Sequence, residues 1–258
     1  MEFLTKNYLQ TTTALTLDSN TALAQYLFKR DKRFQYVSDG FNDDATTTSI
    51  VIAFDSTVPV SRIGLVGMNW KDFTIFYNGA TANVLSLTST GATTSSDWSS
   101  NSETSMFLRC ATVSVTQITI DISGTIEADS EKAIGYIYVA DTLLEMERVP
   151  SADKYSPKFK PKQTVHELSD GNVRVSTVDE KFSASIDYEY VTKTFRNSLY
   201  TVWANREDFG FVAFPTTTGW DEVLFPVVWP GNFDFYKFSD NASEAGFSGT
   251  ITLRETVA

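Results

Sequence analysis

Val113-Ser114-Val115-Thr116-Gln117-Ile118-Thr119-Ile120-Asp121-Ile122 alternates apolar and polar residues almost without a break. Side chains along a strand point to opposite faces in turn, so this pattern reads as a strand with one face in a core. The same period of two recurs on both sides. Ser49–Phe54 places Ile50, Ile52 and Phe54 on one face, and Ile134–Val139 is rich in β-branched and aromatic residues. Phe73–Tyr77 runs into Asn78-Gly79, a pair that favours the left-handed backbone of a tight turn. Between these runs lie the polar stretches Asp39–Thr48 and Ser86–Ser105, which read as loops.

Helical spacing is clear once, where Phe195, Leu199, Val202 and Trp203 fall at i, i+4, i+7 and i+8. Thr192 or Thr194 is the expected cap. Strands are expected at 172–178, 182–191, 209–214, 223–229, 233–238 and 249–254, whereas 143–148 reads equally as helix or strand. Pro150, Pro157 and Pro161, with four lysines from Lys154 to Lys162, suggest a stiff connector at 149–162. The expected chain is therefore mainly β. It has a jelly-roll β-sandwich over 1–148, the connector, and a small β-sandwich flanked by one α-helix over 163–258.

The 258 residues carry 21 basic and 32 acidic side chains, a net charge of −11. A phosphate backbone repels such a surface, so nucleic acid is not an expected partner. The longest apolar runs are far shorter than the roughly 20 residues of a spanning helix, so no membrane insertion is expected. No apolar leader follows Met1, which suggests synthesis in a cytoplasm. The one cysteine, Cys110, sits in an apolar strand and reads as a structural thiol.

The one histidine, His166, has no motif around it that would make it a catalytic base, and no nucleophile elbow or phosphate loop occurs. An enzyme is therefore not expected, and no cofactor is required. Asp39, Asn42, Asp43 and Asp44 cluster oxygens around Gly40, which makes them weak candidates for a structural calcium ion. Tyr36, Phe41, Trp70 and Trp98 lie in or beside expected loops and are candidates for stacking a sugar.

Residues 49–55, 60–67 and 72–79 resemble the discoidin-like, galactose-binding jelly rolls. The segments are Ser49-Ile50-Val51-Ile52-Ala53-Phe54-Asp55, Val60-Ser61-Arg62-Ile63-Gly64-Leu65-Val66-Gly67 and Asp72-Phe73-Thr74-Ile75-Phe76-Tyr77-Asn78-Gly79. That resemblance implies a jelly roll able to bind carbohydrate. Most of 150–258 is similar to structural proteins of tailed bacteriophages, through Tyr155-Ser156-Pro157, Leu168–Arg174, the 195–203 helix and Trp229-Pro230-Gly231-Asn232-Phe233. This implies a distal-tail, baseplate-hub or adaptor protein in the virion, assembled in a bacterial host. It would form a trimeric or hexameric ring with other tail proteins as partners. The alternative is a carbohydrate-binding module that recognises a host glycan.

Overall fold

The computed structural model describes residues 1–10, 14–29, 34–38, 43–79, 83–89, 94–95, 98–147, 150, 153–167, 173–214, 222–237 and 246–256. The chain is mainly β and divides into two compact units. One is built from Leu4–Thr142 with Glu222–Leu224; the other comprises Met1–Phe3, Leu143–Asp221 and Phe225–Thr256.

The first unit is a jelly-roll β-sandwich organised by two long antiparallel strands, Thr48–Val66 and Ser105–Thr125. The alternation quoted above changes phase between Val115 and Ile118, and the strand register breaks at the same place. Ala53 pairs with Gln117 but the next pair is Val58 with Val115, leaving Phe54–Thr57 as a bulge. A bulge bends a strand, which lets each long strand serve two layers. In one layer, Ala14–Leu17 and Trp70–Tyr77 flank the pairing of 48–53 with 117–122. In the other, Tyr136–Ala140 and Leu87–Ser89 flank the pairing of 62–66 with 105–109. Ile50, Ile52, Ile118, Ile120 and Ile122 from the first layer share a core with Ile63, Leu65, Leu108, Ile137 and Val139 from the second.

Asn78 and Gly79 both have positive φ, as the Asn-Gly turn requires. Asn78 also accepts the Thr116 N–H and donates to the Ser114 carbonyl, which ties the turn to the neighbouring strand. Within the stretch read as a long loop, Leu87–Ser89 and Thr94–Ser95 form short strands and Trp98 bridges to Phe73.

The second unit is organised on a sheet whose strands run in the order Thr142–Glu145, Glu2–Leu4, Phe209–Ala213, Val223–Val228, Phe247–Glu255, Val173–Val191, Tyr155–Glu167; Phe235–Lys237 pairs with Phe247–Glu255 off this path. Three boundaries differ from the sequence reading. The ambiguous 143–148 segment contributes a strand, Thr142–Glu145. The two strands expected at 172–178 and 182–191 are one strand, Val173–Val191. The expected connector at 149–162 is not a linker beyond Lys154: Tyr155–Glu167 is a strand, with Pro157 opposite Ala184 and Pro161 opposite Glu180. Proline cannot donate to a sheet ladder, and this strand stands at the sheet edge, where one side needs no donor. The prolines and lysines that mimic a linker therefore mark an edge strand.

The helix forms at Lys193–Ala204, capped by Thr192, whose hydroxyl accepts the Phe195 N–H at 3.1 Å. Phe195, Leu199 and Val202 are buried as the spacing requires. In the core of the same unit, Phe182 is 1% exposed and stacks on Phe225 with ring centres 3.8 Å apart. Replacing Phe182 with Ala should cost about 3–5 kcal/mol, read as a lower denaturant midpoint at unchanged slope. An unchanged midpoint would contradict this packing.

Candidate functional site

The sugar-stacking candidates of the jelly roll that the structure describes are core residues. Tyr36 and Trp70 are 1% and 0% exposed, and Trp98 is 8% exposed with its ring stacked on Phe73. The Tyr36 hydroxyl is spent on the Ser19 carbonyl. Aromatics that fall in apparent loops are drawn under them because burying so much apolar surface outweighs display. Phe41 lies outside the described residues, as do Asp39 and Asn42 of the calcium candidates.

Asp43 and Asp44 are brought together, but around a lysine. Lys132 is 1% exposed, and its Nζ donates to the carbonyls of Asp43 and Thr46 at 2.8 and 2.9 Å. Asp44 Oδ1 accepts from the Thr125 N–H and hydroxyl, and Asp129 Oδ1 accepts the Asp44 N–H. Burial lowers the Lys132 pKa, while the charges of Asp44, Asp43 and Asp129 act in the opposite sense. Lys132 thus places an ammonium of the chain's own beside Asp43, Asp44 and Asp129. Among the described residues, no group of three or more His, Cys, Asp or Glu side chains is placed to hold a metal ion.

His166 lies exposed on the edge strand Tyr155–Glu167, opposite Arg174. Cys110 is a free thiol, half-buried in the jelly roll, and burial pushes its pKa up to about 11. A protonated thiol is a poor nucleophile, so the structural reading of Cys110 stands.

A concave site among the described residues was not legible beforehand. It is a cleft of about 660 Å³ in the second unit, walled by the strand segment Asp187–Glu189, the loop Trp229–Asp234 and the strand Phe247–Glu255. Tyr236 stands at its lip and is 68% exposed. The polar groups around it are already positioned. Asp187 accepts from the Thr250 hydroxyl at 2.7 Å, and Glu189 pairs with Lys154 at 2.7 Å, an interaction that raises the lysine pKa.

The loop is held by the helix. Gly231 has φ +95°, a backbone that side chains disfavour, and its carbonyl accepts from both Trp203 Nε1 and Arg206 Nη1. Arg206 lies over the Trp203 ring at 3.8 Å, and Phe233 packs against Tyr200 and Trp203. Trp203, expected in the helix's buried face, is therefore only half-buried and acts as a clamp on the cleft wall. Gly249 closes the floor: a Cβ there would run into the Asp234 carbonyl oxygen and the Phe235 ring, so only glycine allows this approach.

No protein-family model matches the chain, and no curated protein sequence matches it. Solved structures do show distant similarity. One is the sixth CBM32 module of a GH89 protein produced by Clostridium perfringens, at 13% identity and TM-score 0.41, covering 53% of this chain and 99% of that one. Another is chitosan-binding module 1 of a chitosanase/glucanase from Paenibacillus sp. IK-5, at 12% identity and TM-score 0.40, covering 52% and 98%. A third is a pectin-binding carbohydrate-binding module, at 15% identity and TM-score 0.34, covering 49% and 88%.

Removing divalent ions with a chelator should leave the melting temperature unchanged, because Lys132 supplies the charge in the acidic loop. Lys132→Ala should cost about 2–4 kcal/mol by stranding buried acceptors. A chelator-induced drop in melting temperature would contradict the lysine's role.

Proposed function

We propose that this chain is a non-catalytic carbohydrate-binding protein and that the cleft in the second unit is its sugar contact. The observation that carries this reading is a solvent-facing aromatic ring, Tyr236, at the lip of an open cleft rimmed by fixed polar groups. A sugar ring has an apolar C–H face and a rim of hydroxyls. The first packs on an aromatic ring, and the second takes hydrogen bonds from amides, carboxylates and hydroxyls. Asn232, Asp234 and Thr252 supply such groups beside Tyr236. Binding sites of this kind are largely pre-formed, and the Gly231 clamp and the Gly249 floor give this one its shape.

The sequence resemblance to galactose-binding jelly rolls points to the same ligand class. A place in a phage tail, with a virion location and tail proteins as partners, rests on the sequence resemblance of 150–258, and the cleft adds nothing to it.

The test is affinity electrophoresis through gels holding single soluble polysaccharides, neutral, acidic and amino-sugar in turn. At least one should retard the wild-type protein. Tyr236→Ala should weaken that binding about tenfold, equal to about 1.4 kcal/mol, at unchanged melting temperature because the ring is exposed. Retardation by none of the polymers, or equal retardation of the variant, would overturn the assignment.

A further inference from the structure

The cleft is one end of a longer surface. Phe182, Ala184 and Ile186 of Val173–Val191 and Ile251 and Leu253 of Phe247–Glu255 are buried, so the residues between them point to the sheet's other face. On that face Asp187 stands opposite Thr250, Ser185 opposite Thr252 and Ser183 opposite Arg254. The edge strand continues these rows, with Ser156 opposite Ser185, Lys158 opposite Ser183 and Lys160 opposite Lys181. Thr250 and Thr252 line the cleft. Arg254 is one same-face step beyond Thr252, about 7 Å further along the strand.

Charge divides this face. Among the described lining residues at the cleft end, Asp187, Glu189 and Asp234 stand against Lys154 alone. At the far end lie Lys158, Lys160, Lys181 and Arg254, within about 10 Å across three strands. Three of the four are exposed, and none makes an ion pair among the described residues. Lys160 directly opposite Lys181 is a like-charge pair, which weakens a sheet. Lysines on an edge strand guard against strand addition, which accounts for Lys158 and Lys160. It does not account for Lys181 and Arg254, which stand on the second and third strands. In a chain with 32 acidic and 21 basic side chains, four cations gathered in this way mark a place for an external anion. Between the two ends lie Ser156, Ser183, Ser185 and Thr252, a low floor of hydroxyls.

We infer that the ligand is a polysaccharide with acidic groups on some of its units, lying along this face from the cleft to Arg254 and the three lysines. This rests on the cleft being the sugar contact. A neutral sugar packs on Tyr236, and the floor hydroxyls bond to those of the next units. A carboxylate or sulfate at the far end takes two parallel N–H donors from Arg254, and the lysines add point charge. The acidic cleft end selects against a nucleic acid, whose phosphates recur at every unit and would meet Asp187, Glu189 and Asp234.

The experiment is retention of the full chain on beads carrying hyaluronan, gellan or neutral dextran. Hyaluronan or gellan, with carboxylates on some units, should hold the wild type more tightly than dextran does, and raised salt should weaken that hold. The triple variant Lys158→Gln, Lys181→Gln, Arg254→Gln should lose about tenfold in affinity for the acidic polymer, at a melting temperature no lower than the wild type's. Tyr236→Ala should weaken the same binding. If the triple variant does not fold, Arg254→Gln alone is measured. Binding to dextran alone, or a folded variant that binds the acidic polymer as the wild type does, overturns the inference and leaves the cleft reading in place. Binding to the acidic polymer that Tyr236→Ala does not weaken overturns the cleft reading and the shared ligand with it, and retention on none of the beads overturns both. An oligonucleotide that displaces the acidic polymer, or a mass above 28.7 kDa in light scattering that the triple variant lowers, gives the basic end to nucleic acid or to a second copy and overturns the inference as well.

Discussion

The second unit depends on a strand at residues 2–4, far in sequence from the rest of its sheet. Glu2–Leu4 is an internal strand of the sheet, between Thr142–Glu145 and Phe209–Ala213. Phe3 is wholly buried, stacked on Phe211 and edge-on to Phe209. An internal strand cannot be spared, because its removal strands the backbone groups of both neighbours and opens the aromatic core. The jelly roll is thus an insertion between Leu4 and Thr142 of a sheet that begins before it and ends after it. The chain passes between the units after Phe3 and again at Thr142, short of the boundary expected near 148, and the brief segment Glu222–Leu224 also groups with the jelly roll.

That sheet also explains where the polar chemistry gathers. Its long strands Val173–Val191 and Phe247–Glu255 hold Asp187 and Thr250 side by side, while the helix fixes the Trp229–Asp234 loop over them. The jelly roll has little to offer in comparison from the residues first suspected. Its conspicuous described aromatics are packed inward, and Lys132 is buried against its acidic loop, donating to the Asp43 and Thr46 carbonyls.

Sequence patterns revealed what depends on near neighbours. Alternation located the long strands, the spacing of Phe195, Leu199 and Val202 located the helix, and Asn78-Gly79 located a turn. What depends on distant partners was not legible. Pro157 and Pro161 look the same in a linker and in an edge strand, and only the register opposite Ala184 and Glu180 decides. Lys132 is almost ninety residues from the acidic loop whose carbonyls it binds. The cleft draws on residues near 154, 187, 231 and 249, which share no motif. The phase change after Val115 was the one long-range signal written locally, and it marks the bulge opposite Phe54–Thr57.

The central claim is that a sugar binds in the second unit's cleft, and it is tested most directly by mapping. Backbone and tryptophan indole resonances of the full chain would be followed while an oligosaccharide is added. The account predicts shifts that saturate and centre on Tyr236, Asn232, Thr250 and the clamped Trp203 indole, with the jelly-roll core at Trp70 unmoved. Saturating shifts confined to the jelly roll, with the cleft silent, would contradict it.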